Sequence, residues 1–115
     1  MKFALLVAIV AEDLEEKAIE VARQAGAGGM TIVSARGTGA EEKKTFFGLT
    51  YQGSQTVVIC ILEKKLSLGV MKALTEDLDL KTHSKGVVFT VPLEHLAGID
   101  MRQIESFAEQ IREEI

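Results

Sequence analysis

Four apolar runs without helical periodicity predict four β-strands in this chain. They cover Phe3–Ala11 and residues 30–35, 55–62 and 87–91, and Pro92 closes the last run because proline has no N–H for a sheet ladder. The first and third runs are apolar at consecutive positions, whereas a strand with one wet face alternates apolar and polar residues. Both faces of the predicted sheet therefore need cover.

Apolar residues recur with helical periodicity in three segments, two of them between these runs and one at the end of the chain. The predicted helices cover residues 14–25, 66–78 and 100–115. Asp13 and Glu16 have the spacing of a capping box at the start of the first helix, and Gly26 is typical of its end. Asp100 is expected to cap the last helix. The predicted order is βαββαβ followed by a C-terminal helix.

This order predicts an α+β fold, the ferredoxin-like sandwich, in which a four-stranded antiparallel sheet carries both helices on one face. We expect one domain over residues 1–99, with the C-terminal helix over residues 100–115 packed on it. That helix alone covers only part of a four-stranded sheet, so a second subunit is the favoured cover for the other face.

Composition narrows the class of protein. The chain has 115 residues, of which 47% are hydrophobic and 26% charged, as in a single folded domain. The net charge is −4 and no basic cluster exceeds two adjacent lysines, so nucleic acid is not an expected partner. The run Phe3–Ala11 is too short to span a bilayer and is followed by acidic residues. We therefore expect a cytoplasmic protein without direct membrane insertion.

Few side chains are typical of catalysis. Cys60 is the only cysteine and lies within an apolar run, where cysteine usually packs as a small hydrophobic residue. His83 is expected in a solvated loop, with ligand contact as the alternative, and His95 is expected at the surface. No common nucleophile or metal-binding motif occurs in the sequence.

Two connections are more informative than these side chains. Residues 36–53 form a long, glycine-punctuated segment of a size that is uncommon in compact domains unless it has a function. The alternative is a long β-hairpin whose Phe46 and Phe47 pack into the core. Residues 81–86 are polar and small, as in a turn that offers backbone N–H groups to an anion.

Two stretches of sequence resemble the PII signalling proteins of nitrogen regulation. The first is Gly-Met-Thr-Ile-Val-Ser-Ala-Arg-Gly-Thr-Gly at residues 29–39, and the second is Gly-Val-Val-Phe-Thr-Val-Pro-Leu-Glu at residues 86–94. The resemblance covers about residues 2–99. It implies a homotrimer of ferredoxin-like subunits that binds adenine nucleotides between subunits and docks on channels, transporters or enzymes through a long loop, here residues 40–52.

The resemblance also implies two sets of functional residues. The ligand set is Gly29, Thr31, Arg36, Gly37, Thr38, Gly39, Ala40, Glu41, Ser84, Lys85 and Gly86. The partner-binding set in the loop is Glu42, Lys43, Lys44, Phe46, Phe47 and Tyr51. A looser similarity to the permease-associated PII-like subgroup favours a membrane transporter as the regulated partner.

The chain departs from the family where phosphates are held. Ala40 occupies an arginine position of the loop base, Val87 the position of a phosphate-binding lysine, and Gly98 and Asp100 those of two arginines. Each lost charge-assisted hydrogen bond is worth roughly 1.5–3 kcal/mol. We therefore expect weak binding of an adenine nucleotide, with ADP or AMP in preference to ATP.

Two other functions stay open at this point. A small ferredoxin-like enzyme could use His83 as general acid or base in a cleft between subunits. A metal-tolerance protein of the CutA type has a similar trimeric architecture, but its chemistry needs thiol or imidazole groups, and the chain has one cysteine and two histidines.

Overall fold

A computed structural model describes residues 2–37, 45–46, 49–50, 53–83 and 86–98. Its strands are β1 (Phe3–Ala11), β2 (Thr31–Gly37), β3 (Thr45–Phe46), β4 (Leu49–Thr50), β5 (Gly53–Glu63) and β6 (Gly86–Pro92). Its α-helices are α1 (Glu15–Gln24), α2 (Lys64–Asp77) and α3 (Leu80–His83), and a 3₁₀ helix at Glu12–Leu14 leads from β1 into α1. The predicted C-terminal helix lies outside the described residues.

The four long strands form one antiparallel sheet in the order β2-β5-β1-β6. This is the strand order of a ferredoxin-like sandwich, so the predicted α+β architecture is confirmed. Strands β3 and β4 form a separate two-stranded ladder in the connection between β2 and β5. Because β1 is central, it pairs with β5 on one side and with β6 on the other.

Burial alternates along β1 although nearly every one of its residues is apolar. Ala4, Leu6, Ala8 and Val10 are buried against the helices, while the residues between them are only half-buried. Buried positions of β5, including Val58, continue the same core, which also holds apolar residues of α1 and α2. One sheet face is therefore the domain core.

The opposite face is apolar but uncovered by the two long helices. We call it the open sheet face. It consists of Val33 on β2, Leu5, Val7 and Ile9 on β1, Val57, Ile59 and Ile61 on β5, and Val87, Phe89 and Val91 on β6. Four of these side chains, Val33, Ile61, Phe89 and Val91, are between 41% and 46% exposed. These positions explain why the sequence predicts a second sheet face that needs cover.

The start of α1 differs from the prediction. Asp13 lies inside the 3₁₀ helix and no side chain caps α1, whose N-cap residue is Leu14. The capping box is therefore wrong. The physical reason is that the strand runs directly into a helical turn, whose carbonyl at Glu12 accepts the N–H of Glu15. The predicted stop at Gly26 is confirmed, since its φ of 120° is one that favours glycine.

The segment after α2 also differs in part from the prediction of a polar turn. It contains the short helix α3, which begins at Leu80. Leu80 is buried in the core, and Asp79 before it has a φ of 53°. The backbone reversal at Asp79 and the burial of Leu80 together place a helical turn where the sequence predicted a loop.

Candidate functional site

Four strand ends meet at one edge of the main sheet. Strand β2 ends at Gly37, β5 begins at Gly53, β1 ends at Ala11 and β6 begins at Gly86. Gly37 is the register partner of Gly53, so residues 38–52 leave and rejoin the sheet at neighbouring positions. We call this edge the loop-base end. Its geometry agrees with the prediction that a long segment begins and ends at glycines.

Glycine is required at two of these positions for different reasons. Gly53 has a φ of 92°, a backbone conformation that L-residues rarely adopt. At Gly86 a Cβ atom would lie 2.6 Å from the carbonyl oxygen of Ile9 and 2.8 Å from Cγ1 of Val10. Close packing of β6 on β1 thus explains Gly86 without a bound phosphate.

The predicted ligand set falls into separate places in one chain. Gly37 and Gly86 lie at the loop-base end, whereas Thr31 pairs with Ile59 near the middle of the sheet. The rise of about 3.3 Å per residue puts Thr31 roughly 20 Å from Gly37 along β2. Gly29 precedes β2 and is exposed. A single chain therefore does not bring the two groups of residues together.

Strand alternation also separates Arg36 from Gly37. The register pairs Arg36 with Ser54 and Ser34 with the buried Thr56, which puts these positions on the helix-facing side of the sheet. Gly37 belongs to the other side. Arg36 and Gly37, both in the predicted ligand set, therefore have positions on opposite sheet faces, and their roles in ligand binding stay predictions.

The other predicted site residues lie outside the described residues, and their roles stay predictions. In the ligand set these are Thr38, Gly39, Ala40, Glu41, Ser84 and Lys85. In the loop set they are Glu42, Lys43, Lys44, Phe47 and Tyr51. The backbone of Phe46 lies in β3, but its side chain is outside the described part, so the hairpin alternative is not tested.

Sequence reasoning missed a polar group beneath the loop-base end. The Thr56 hydroxyl donates a hydrogen bond of 2.9 Å to the Glu15 carboxylate, and Thr56 is only 1% exposed. Gln55 beside it is buried as well. The sequence did carry a signal for this pair, namely two polar residues near the start of an otherwise apolar strand. A buried polar side chain needs a hydrogen-bonding partner, so such residues indicate a polar contact inside the fold.

The candidate catalytic and metal-binding residues differ in burial. Cys60 is buried in the core, and this burial raises the pKa of its thiol. It is a packing residue, as the sequence predicted. The side chain of His83 is not described, and His95 is exposed, as predicted. Within the described ranges no three His, Cys, Asp or Glu residues are grouped to hold a metal ion.

Across the described residues, no helix combines the length and the apolar character needed to cross a bilayer.

Comparison with known proteins gives a family and a fold. The profile of the family described as nitrogen regulatory protein P-II matches residues 3–103. No curated protein matches the sequence. A PII-like signalling protein from Thermus thermophilus is similar in structure, with a TM-score of 0.62 and 19% identity over 81% of this chain and 88% of that one.

A second solved protein is CPII, a nitrogen regulatory PII-like protein from Thiomonas intermedia. Its structure with ADP, AMP and bicarbonate has a TM-score of 0.62 and 20% identity over 86% of this chain and 98% of CPII. Its complex with ADP and bicarbonate gives a TM-score of 0.61, also at 20% identity, over 81% of this chain and 87% of that one. At such identities the structural likeness concerns the fold.

Proposed function

Because the chain belongs to the nitrogen regulatory protein P-II family, whose profile matches residues 3–103, we propose that it is a PII-like regulatory protein. It acts as a cytoplasmic homotrimer without enzymatic activity, binds a small effector between subunits and controls a partner protein. The family match is the observation that carries this proposal, because it spans the sheet, both long helices and the segment 38–52.

The open sheet face supports a homotrimer. Full burial of a Val, Ile or Phe side chain is worth roughly 1.5–3 kcal/mol, so covering the exposed part of Val33, Ile61, Phe89 and Val91 gives roughly 2–5 kcal/mol per subunit. The half-buried residues between them add to this sum. Monomers rarely expose a contiguous apolar surface of this kind, and a second copy carries the same apolar surface.

The spread of the ligand set supports a site between subunits. Thr31 lies near the middle of the sheet, whereas Gly37 and Gly86 lie at the loop-base end. We propose that the Gly29 and Thr31 region of one subunit approaches the loop-base end of its neighbour. The complete effector site then exists only in the assembled protein.

The proposed effector is an adenine nucleotide, bound weakly, with ADP or AMP preferred to ATP. CPII, whose structures hold ADP, AMP and bicarbonate, supports this class of ligand. The charge argument supports the preference, because Val87 and Gly98 replace cationic residues of the family pattern. Losing such contacts, at roughly 1.5–3 kcal/mol each, weakens a triphosphate more than a monophosphate.

We propose residues 40–52 as the surface that binds the partner, a membrane transporter or another regulated protein. The register pairing of Gly37 with Gly53 supports this, since the chain leaves and rejoins the sheet at neighbouring positions. Deleting residues 41–51 is expected to leave assembly and thermal stability nearly unchanged and to abolish capture of the partner. An unfolded deletion variant would show instead that Phe46 and Phe47 belong to the core.

Oligomeric state is tested with a matched pair of charged substitutions. Ile61→Glu places a carboxylate on the open sheet face, where the side chain is 46% exposed. Leu68→Glu does the same on α2 at a side chain that is 56% exposed but outside that face. Light scattering is expected to show trimers for the native chain and Leu68→Glu, and smaller species for Ile61→Glu. A native monomer at micromolar concentration refutes the trimer.

Effector binding is tested by native mass spectrometry with ATP, ADP, AMP and cyclic nucleotides, followed by calorimetry. We expect bound ADP or AMP in the trimer and weaker binding of ATP. A dissociation constant for ATP of about 10 μM or tighter contradicts the charge argument. Turnover of any nucleotide in the same samples would favour the enzyme alternative.

A further inference from the structure

An open cavity of about 270 Å³ lies at the loop-base end. It is lined by Glu12, Ser34, Ala35, Arg36, Ser54 and Gln55. By their register, Arg36, Ser34 and Ser54 belong to the helix-facing side of the sheet, whereas Ala35 and Gln55 belong to the opposite side. The cavity therefore lies at the end of the sheet, and none of the apolar residues that define the open sheet face lines it.

The cavity has charges of opposite sign on its two sides. Arg36 is the register partner of Ser54 on β5, and Glu12 follows Ala11, the last residue of β1 and the partner of Gln55. Strands lie about 4.8 Å apart, so the chain at Glu12 is roughly 10 Å from the chain at Arg36, with Ser54 between them. The chain positions of Arg36 and Glu12 are thus on either side of Ser54.

Both charged groups are available to a ligand. Glu12 and Arg36 are exposed, and within the described ranges neither forms a salt bridge. The nearby Glu15 carboxylate differs, because it already accepts the hydrogen bond from Thr56. Any direct attraction between exposed Glu12 and Arg36 would be worth only about 0–1 kcal/mol, so a ligand that meets both charges can replace it.

This arrangement selects for a particular charge distribution. A phosphate would meet Arg36 but be repelled by Glu12, and a simple cation would be repelled by Arg36. A small zwitterion, which carries one anionic and one cationic group, can satisfy both. The volume lies just below the roughly 300–1,000 Å³ of sites for drug-sized ligands, which favours a smaller molecule.

We propose that this cavity binds a free α-amino acid. Its carboxylate accepts hydrogen bonds from the Arg36 guanidinium, for which a planar carboxylate is the matching bidentate partner. Its ammonium group donates to the Glu12 carboxylate, and the hydroxyls of Ser34 and Ser54 line the space between. The proposal does not depend on nucleotide binding, because the cavity is formed by one chain.

The test titrates the full-length protein with each common L-amino acid by calorimetry. At least one amino acid is expected to bind with a dissociation constant of about 1 mM or tighter. The best one is then compared with its amide, which lacks the carboxylate, and with its deaminated acid, which lacks the ammonium group. Each analogue is expected to bind at least about tenfold more weakly.

Charge-neutralising variants locate the site. Arg36→Gln and Glu12→Gln are each expected to weaken binding at least about tenfold, with unchanged thermal unfolding because both side chains are exposed. Arg23→Gln and Glu94→Gln are matched controls at exposed positions outside the cavity and are expected to bind as the native chain does.

Three outcomes overturn the proposal. They are the absence of binding by every amino acid, equal binding by the deaminated acid, and native affinity in both cavity variants. ADP binding measured on the same samples separates the two proposals. If the protein binds an amino acid but not ADP, the result contradicts the proposed function alone. If it binds ADP but no amino acid, the result contradicts only the amino-acid site.

Discussion

Replacing Gly86 by alanine adds one methyl group at a crowded backbone position. The new Cβ would lie 2.6 Å from the carbonyl oxygen of Ile9, and 2.8 Å and 3.2 Å from Cγ1 and Cα of Val10. Two of these three atoms belong to the backbone of the central strand. A change of side-chain rotamer therefore cannot remove the clash, and β6 must shift relative to β1.

The expected cost follows from this geometry. Inserting a methyl group into a packed region that cannot adjust costs about 1–3 kcal/mol. Replacing glycine also restricts the unfolded chain, which returns about 0.4–1 kcal/mol. We expect Gly86→Ala to lower the free energy of unfolding by about 1–2 kcal/mol.

Gly69 in α2 provides the matched control. It is exposed, and no atom lies within 4 Å of the position that its Cβ would occupy. Alanine in a helix interior is more favourable than glycine by roughly 0.5–1 kcal/mol. The same substitution is therefore expected to have opposite signs at the two positions, with a difference of about 2–3 kcal/mol between the variants.

Equilibrium unfolding in urea, followed by circular dichroism at one protomer concentration, measures this difference. Fixed concentration matters because assembly contributes to the apparent stability. The expected result is a lower midpoint for Gly86→Ala, a higher midpoint for Gly69→Ala and equal slopes. If Gly86→Ala is as stable as the native chain, steric crowding does not explain this glycine, and a role in ligand binding becomes the better explanation.

Three further predictions concern the core and its edge. Thr56→Val is expected to cost about 1–2 kcal/mol because the Glu15 carboxylate loses its donor, whereas Glu15→Gln, which keeps an acceptor oxygen, should cost less in the same urea assay. Gly26→Ala should lower the thermal midpoint, since its φ is 120° and its Cβ would meet the Leu66 side chain at 2.9 Å; an unchanged midpoint would contradict this. Burial raises the pKa of the Cys60 thiol above its value in the unfolded chain. The buried neutral thiol therefore stabilises the fold fully below the pKa of the unfolded thiol, and this stabilisation is lost as the pH rises from there through the folded pKa. Iodoacetamide should accordingly label Cys60 only after unfolding, and fast labelling of the native protein would refute its burial.

The sheet could be predicted from the sequence because its strands contain many consecutive apolar residues. Consecutive apolar residues in β1 and β5 exceed what one core face needs, so they predicted both the strands and the second apolar face. Helix ends were less predictable. The spacing of Asp13 and Glu16 fits a capping box, but spacing does not show that β1 passes straight into a 3₁₀ turn. The burial of Leu80 was equally unpredictable, because its neighbours in sequence, Asp79 and Lys81, are polar.

The candidate site was less predictable than the fold because neighbours in sequence alternate between sheet faces. Arg36 and Gly37 follow each other in the chain, yet strand geometry sends them to opposite sides. Glu12 and Arg36, by contrast, are distant in sequence and line one cavity. Their association depends on strand order and register, which no local pattern contains.

The central position of β1 has a consequence for folding in the cell. It leaves the ribosome before β5 and β6, yet Ala4 pairs with Leu62 on one side and with Pro92 on the other. Each of these contacts closes a long stretch of chain, a topology associated with slow folding. During synthesis, the apolar β1 therefore has no sheet partner until β5 has emerged, and it lacks its second partner until β6 has emerged. Variants that slow the pairing of β6 should aggregate during translation even where the finished fold is stable.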